Sequence, residues 1–249
     1  MKINRFLMLL GVLWLLAVAP MVQAQESEPE SKFSMTVTLN SDIFFGFYPF
    51  FAGSYAVKDK LDFTFYGILW SGGTGAGWGN WTEVGIGVGF PVGEALYVSP
   101  QIGLLNGSLT SGLGVPRLGE GIVPNLTVGL DTDALEGELY AGLYTGINHG
   151  NFNTNNYLHY WLNAGYKISP FLSAGLHFEQ LRFTGGRNHE GDASYDFYAA
   201  VGPYLQFSDP NGGSFARFSS GIDLRSDEEV TKSAYEQPTF FKLTVGYNF

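Results

Sequence analysis

The stretch Phe33–Phe47 decides the fold, and it reads FSMTVTLNSDIFFGF. Its odd positions are apolar apart from Ser41, whereas the even positions from Ser34 to Asp42 are polar. A period of two is typical of a β-strand, whose successive side chains point to opposite faces of the sheet. The stretch is therefore predicted to be a strand with one apolar and one polar face.

The same alternation returns along the chain, for example in Leu61–Trp70 and Trp81–Phe90. Each run is about ten residues long, the length that a tilted membrane strand needs. If Gly46–Pro49 forms a tight loop, the chain has twelve predicted strands. Without that loop the number of strands falls to ten. The predicted strands are 33–45, 50–57, 61–70, 81–90, 95–105, 120–130, 135–146, 157–167, 171–183, 194–207, 214–225 and 238–249.

The segments between these runs fall into two classes of length. Short connections near 58–60, 91–94, 131–134, 168–170 and 208–213 are interspersed with longer ones at 71–80, 106–119, 147–156, 184–193 and 226–237. Short turns on one side and long loops on the other are typical of bacterial outer-membrane barrels. An even number of strands would also bring both ends of the chain to the same side.

The first 24 residues predict export. Lys2 and Arg5 precede the apolar run Phe6–Ala19, and Val22–Ala24 ends it with small residues. This arrangement resembles a secretory signal peptide, and the run is shorter than the roughly 20 residues of a spanning helix. We therefore expect a signal peptide at 1–24, a short periplasmic leader at 25–32 and one barrel domain at 33–249.

The charge balance narrows the range of partners. Loss of residues 1–24 removes two of the 13 basic residues, so that 11 face 23 acidic ones and the net charge is −12. Such a surface does not attract nucleic acid. The chain has no cysteine, so an exported domain must be held by backbone pairing and packing.

The end of the chain carries the most specific signal. Apolar residues alternate from Phe241 to Phe249, and the chain stops on that aromatic residue. This resembles the C-terminal signal by which the barrel assembly machinery recognises its clients, with Lys242, Tyr247 and Phe249 at matching positions. Thr244 stands where that signal has glycine.

Over residues 33–249 the chain resembles the outer-membrane β-barrel class of Gram-negative bacteria, and it is similar to a barrel family without an assigned function. The resemblance implies an all-β, closed, antiparallel transmembrane barrel of about twelve strands, or ten as the alternative. It also implies a place in the outer membrane with both termini periplasmic. The implied partners are outer-membrane lipids, the barrel assembly machinery and small solutes, and closure follows because an open sheet edge is costly in hydrocarbon.

Sorting the polar residues by parity predicts which side chains line the lumen. Glycines on the same face indicate either open space or relief of crowding in a curved sheet. The predicted lumen residues are Asp42, Asp62, Glu83, Glu136, Glu138, His159, Lys167, His177, Glu179, Asp196, Arg217, Asp223, Arg225 and Lys242.

One predicted hairpin, formed by strands 157–167 and 171–183, carries a candidate site of chemistry. A turn centred at Ser169 would place His159 opposite Glu179 and Trp161 opposite His177. Ser173 lies four residues from His177, about 13 Å along a strand, which is too far for a catalytic triad. The cluster is therefore predicted to be a lumenal polar network, and a lipid-modifying or proteolytic barrel enzyme is the alternative.

Other motifs predict neither a metal nor a cofactor. The acidic run Asp227–Glu229 and the group His189, Glu190 and Asp192 are interpreted as solvated loops. The glycine-rich run Ser71–Gly79 lacks the lysine and the helix of a phosphate loop.

The tryptophans beside that glycine-rich run are predicted to form an aromatic girdle at the membrane interface. They are Trp70, Trp78 and Trp81.

Three functional hypotheses follow, and the protein is not expected to be an enzyme under the first two. A narrow passive channel for small solutes is favoured by a polar lumen, by the glycines and by the intermediate strand number. A structural or surface-interaction barrel without transport is the alternative. A lipid-modifying enzyme is the third.

Overall fold

The computed structural model describes residues 31–70, 81–111, 116–147, 153–187, 194–233 and 236–249. Twelve antiparallel strands form one closed barrel, in which β1 pairs with both β2 and β12. The predicted twelve-stranded, all-β barrel is thereby confirmed. The strands are β1 Phe33–Asp42, β2 Gly46–Lys58, β3 Leu61–Trp70, β4 Trp81–Val92, β5 Leu96–Gly107, β6 Arg117–Asp131, β7 Leu135–Gly146, β8 Asn156–Lys167, β9 Leu172–Gly185, β10 Tyr195–Ser208, β11 Ser214–Asp223 and β12 Thr239–Asn248.

The alternation in the sequence becomes two faces of the wall. Ile86 of β4 pairs with Ile102 of β5, and both side chains are more than half exposed on the outside. Glu83 of β4 points to the opposite face and is fully buried. Apolar side chains thus cover the outside of the barrel, where lipid can replace water, and polar groups are enclosed.

The two ends of the barrel differ. One end, here called the short-turn end, carries the turns that join β2 to β3, β4 to β5, β6 to β7, β8 to β9 and β10 to β11, and both Phe33 and Asn248 lie there. The other end, here called the long-loop end, carries the remaining connections. The first of these, Ile43–Phe45, has only three residues.

The boundary between the first two strands differs from the prediction. β1 ends at Asp42 rather than at residue 45, and β2 begins at Gly46 rather than at residue 50. The predicted loop at Gly46–Pro49 is instead part of β2. The turn needs only Ile43–Phe45 because Gly46 adopts a φ of 70°, which is readily available to glycine.

A short helix, α1 (Asp227–Ser233), lies in the region that was predicted to be a loop. The Ser226 hydroxyl accepts a hydrogen bond from the Glu229 amide, and the Glu229 carboxylate accepts one from the Ser226 amide. This is a capping box, the S-x-x-E arrangement that starts helices. Within the described ranges, no helix is long and apolar enough to cross a bilayer.

Several interior glycines are covered by tyrosine rings. A β-carbon added at Gly85 would lie 2.1 Å from the Tyr66 ring, and one at Gly103 would lie 2.2 Å from the Tyr66 hydroxyl. Tyr204 is placed in the same way, with its hydroxyl 2.0 Å from a β-carbon added at Gly165. These glycines leave room for aromatic side chains that lie flat against the inner wall.

Candidate functional site

The centre of the lumen is organised around the buried carboxylate of Glu179. Its Oε1 accepts a hydrogen bond from the Tyr198 hydroxyl at 2.9 Å and lies 3.0 Å from His159 Nε2. Its Oε2 accepts one from Lys242 Nζ at 2.8 Å and lies 3.2 Å from His177 Nε2. A buried charge needs such partners, and β8, β9, β10 and β12 supply them.

The pairing of β8 with β9 differs by two residues from the predicted register. Trp161, and not His159, is opposite Glu179, and Asn163 is opposite His177. The difference arises because the turn extends to Phe171, so that the hairpin is centred one residue later than Ser169. His159 still reaches Glu179 as a diagonal neighbour, because side chains two residues apart across strands remain within reach.

Ser173 contacts a different carboxylate. Its hydroxyl donates to Glu136 Oε2 at 3.0 Å, and the Tyr204 hydroxyl donates to Glu136 Oε1 at 2.9 Å. His177 Nδ1 lies 2.7 Å from the side-chain oxygen of Asn163. The hydroxyl and the imidazole are therefore engaged in separate hydrogen bonds.

The Ile43–Phe45 turn, here called the inward turn, bends into the barrel and is held by Asp42. Asp42 Oδ1 accepts hydrogen bonds from the amides of Phe44 and Phe45 at 2.9 and 2.7 Å, and Oδ2 accepts one from the Tyr48 hydroxyl. The Phe44 ring stacks on Tyr198 with 3.6 Å between ring centroids. The inward turn thereby joins the Glu179 network through Tyr198.

Trp70 and Trp81 are not part of an interface girdle, contrary to the prediction. Both are buried, they pair across β3 and β4, and their rings lie 4.5 and 6.3 Å from Phe45. Trp70 shares the parity of the inward-facing Tyr66, so its side chain enters the lumen. Trp78 lies outside the described residues.

Residues 109–111, in the described part of the β5–β6 connection, are held by Glu120 at the long-loop end. The Glu120 carboxylate accepts hydrogen bonds from the amides of Leu109, Thr110 and Ser111, at 2.8 to 3.0 Å. All four of these residues are buried. One carboxylate thus holds three consecutive backbone amides.

Two further connections are joined to this one. The Asn155 amide donates to the Thr110 carbonyl, and the Thr154 amide donates to the Arg187 carbonyl. The Thr154 hydroxyl in turn accepts a hydrogen bond from the Arg187 amide at 2.9 Å. Backbone hydrogen bonds therefore link the β5–β6, β7–β8 and β9–β10 connections in their described parts.

Between these linked connections and the short-turn end lies a cavity of about 340 Å³. It extends from Ser34 and Ser54, near the short-turn end, to Trp70. Hydroxyl, amide and aromatic side chains form much of its wall. Its charged and imidazole lining residues are Glu138, His177, Arg217 and Lys242.

The remaining predicted lumen residues at inward positions have their own partners. Asp62 accepts a hydrogen bond from the Tyr97 hydroxyl at 2.5 Å, and Glu83 accepts one from the Tyr66 hydroxyl at 2.6 Å. Lys167, near the short-turn end, forms an ion pair with the more exposed Asp131.

Asp196 lies on the outer face, which departs from its predicted placement. It pairs with Arg182 in register and by an ion pair of 3.0 Å. Arg182 is opposite Leu158, which is opposite the exposed Leu143, so these side chains share the outer face. A bulge between Asp196 and Tyr198 reverses the parity on which the prediction depended.

Arg225 has a fully buried side chain. It follows β11, bonds to Asp223 at 2.6 Å, and donates to the Phe197 carbonyl and the Ser233 hydroxyl. These contacts connect α1 to β10. His189, Glu190 and Asp192 lie outside the described residues, and in the part that is described no group of three or more His, Cys, Asp or Glu residues is arranged to hold a metal ion.

The aromatic residues Phe44, Tyr66 and Tyr198 organise the lumen, although they were not among the predicted site residues. The parity of Tyr66 and Tyr198 is a signal that could have identified them. Phe44 carries no such signal, because it lies in a turn.

A closed, twelve-stranded antiparallel barrel with an apolar outside and a polar inside is an outer-membrane porin-like fold. The COG4313 outer membrane channel from Pseudomonas putida F1 is similar to it, with a TM-score of 0.52 and 12% identity over 90% of this chain and 97% of that chain. The NanC porin (TM-score 0.49, 10% identity, 86% and 98% covered) and the KdgM porin (0.47, 14%, 86% and 99%) are more distant in shape. At these identities the likeness shows the fold alone.

The family is shown by the sequence itself. Residues 1–249 match the model described as "Family of unknown function (DUF6733)", and the chain belongs to that family. A search of the curated proteins gives no match.

Proposed function

We propose that this protein is an outer-membrane β-barrel that serves as a narrow passive channel for small solutes. The observation that carries the proposal is the cavity of about 340 Å³ inside a closed sheet. Its size lies within the range of small-molecule sites, about 300–1,000 Å³. Hydroxyl, amide and charged side chains on its wall can replace the water around a polar solute.

The inward turn would control this path. Phe44 and Phe45 are buried beside Tyr198, Trp70 and Trp81, on the side of the lumen nearer the long-loop end. The arrangement supports a channel of small conductance in the state described. Removing the two rings is expected to widen the path.

The test is single-channel recording in planar bilayers with the double variant Phe44→Ser, Phe45→Ser. Its conductance is expected to rise at least about three-fold over that of the unaltered protein, because conduction follows the width of the most constricted part. Phe47→Ser is the matched control, since Phe47 is two residues away but lies exposed on the outer face. The control should conduct like the unaltered protein.

Absence of conductance above background in both the unaltered protein and the double variant would contradict the proposal. An equal rise in the Phe47→Ser control would show that the effect is not one of lumen width. Folding of each variant is checked by the slower migration of the barrel on a gel after heating.

A structural or surface-interaction barrel without transport is the second candidate. It is favoured by the linked connections at the long-loop end, where Glu120 binds three amides and Thr154 bonds to Arg187. Loss of the 106–119 connection would then alter adhesion or envelope integrity and leave permeability unchanged. The bilayer recordings separate the two candidates.

The proposed placement in the cell is supported by the fold and by the sequence of β12. We propose that residues 1–24 are removed on export and that the short-turn end, with both termini, faces the periplasm. Tyr247 and Phe249 are exposed on the outside of β12 and just beyond it, whereas Lys242 points inward. Recognition of these three residues by the barrel assembly machinery remains a prediction.

A further inference from the structure

Two cations on the cavity wall use only part of their hydrogen-bonding capacity. Lys242 Nζ donates to Glu179 and to no other described residue. Arg217 donates from Nε to Gln206 and from Nη1 to Glu138, whereas Nη2 donates to no described residue. Because an ammonium has three N–H groups and a guanidinium has five, both side chains have donors to spare.

The sheet places these two cations next to each other. Arg217 of β11 is opposite Thr244, and Lys242 of β12 is opposite Ser219. Arg217 and Lys242 are therefore diagonal neighbours on the inner face, with about 7–8 Å between their Cα atoms. Both line the cavity and both have long side chains, so one bound group can contact both.

Neighbouring groups hold the pair in place. Glu138 lies 3.3 Å from Arg217 Nη1 and also accepts a hydrogen bond from Trp161 Nε1 at 2.9 Å. The Trp161 ring stacks on Tyr140 with 4.1 Å between centroids. The two spare donors are thus presented beside an aromatic surface.

We propose that the cavity binds a small organic carboxylate, with its oxygens on Arg217 Nη2 and Lys242 Nζ and its organic part against Trp161 and Tyr140. This inference builds on the proposed channel function, because it names the class of solute that enters the cavity. A cationic solute cannot accept hydrogen bonds from the spare N–H groups of Arg217 and Lys242, because it offers donors rather than acceptors. A neutral solute would not gain the stronger hydrogen bonds that form between charged partners.

The test compares benzoate with benzamide, which has nearly the same shape but no charge. Binding to the detergent-solubilised, full-length mature protein is measured by titration calorimetry. Benzoate is expected to bind at least ten-fold more tightly than benzamide. Arg217→Gln and Lys242→Gln are each expected to weaken benzoate binding about ten-fold or more, since each removes a hydrogen bond to a charged group.

Lys167→Gln is the matched control. Lys167 is also a lysine at an inward position, but it binds Asp131 near the short-turn end and does not line the cavity. The control should bind benzoate like the unaltered protein. Arg217→Lys keeps the charge but loses the planar guanidinium. Its affinity for benzoate should therefore lie between that of the unaltered protein and that of Arg217→Gln.

Three results would overturn the inference: no benzoate binding, equal binding of benzamide, or unchanged affinity in both glutamine variants. If Lys242→Gln does not fold, the benzoate–benzamide comparison on the unaltered protein still decides. Because calorimetry does not depend on conduction, a barrel that binds benzoate without conducting refutes the channel alone. A conducting barrel that does not distinguish the two probes refutes this inference alone.

Discussion

At the scale of single residues, parity within a strand is a better guide than residue type. Trp70 and Trp81 belong to a residue type that is enriched at membrane interfaces, yet both are buried in the lumen. Their strand positions share the face of Tyr66 and Glu83, and this parity was available from the sequence. Asp196 shows the limit of the same rule, because the bulge that reverses its parity leaves no clear mark in the sequence.

Gly85→Ala should destabilise the barrel by about 1–3 kcal/mol, the usual cost of overpacking. The new methyl group would lie 2.1 Å from the Tyr66 ring, so the ring must move away from its hydrogen bond to Glu83. The measurement is the free energy of unfolding in guanidinium, with the protein in lipid vesicles.

Gly129→Ala is the control for that variant. A β-carbon at Gly129 would meet no atom within 4 Å, so its free energy of unfolding should be unchanged or slightly higher. Equal destabilisation by both variants would show that Tyr66 is not the cause.

At the scale of strands and turns, the period of two predicted most of the fold, because membrane strands must alternate. The inward turn was not predicted, because the odd residues Ile43 and Phe45 continue the apolar pattern of β1. What ends that strand is a tertiary arrangement, in which Asp42 binds two amides and Phe44 stacks on Tyr198. The predicted register of β8 and β9 was wrong by two residues, because the register depends on where the turn between them lies.

Glu120→Gln should loosen the β5–β6 connection. Glutamine has one oxygen where glutamate has two, so the three amides of Leu109–Ser111 lose part of their charged acceptor. Hydrogen exchange of these amides, followed by mass spectrometry, is expected to speed up roughly ten-fold.

Glu228→Gln serves as the comparison for this experiment, because Glu228 is an exposed carboxylate of α1 that forms an ion pair with Lys232. Exchange at residues 109–111 should be unaffected by it. If Glu120→Gln leaves their exchange unchanged as well, the carboxylate does not hold the connection.

At the scale of the whole molecule, the sequence predicted a closed barrel and a shared position for His159, His177 and Glu179. It could not predict whether the lumen is filled, since that depends on how side chains from many strands meet. Phe44 lies in the inward turn, Tyr198 on β10 and Lys242 on β12. These elements are far apart in the sequence, and only the closed sheet brings them together.

Ile102→Arg should lower the free energy of unfolding in lipid vesicles by about 2–4 kcal/mol, because a charge near the middle of the hydrocarbon is poorly solvated. Ile102 is exposed in the middle of β5, between Ile86 and Pro124. Leu118→Arg, near the long-loop end, should cost about 0–1 kcal/mol. Equal effects at the two positions would argue against a membrane around this surface.

The pairing of β1 with β12 has a consequence for biosynthesis. The Thr36 hydroxyl donates to the side chain of Asn248, a residue 212 positions later in the chain. Each other strand pairs with the strand before it in the sequence, but this seam joins the first strand to the last. Until β12 is in place, the unclosed sheet exposes two unpaired strand edges and an apolar outer face. We therefore expect the chain to need a protein that shields both during transit.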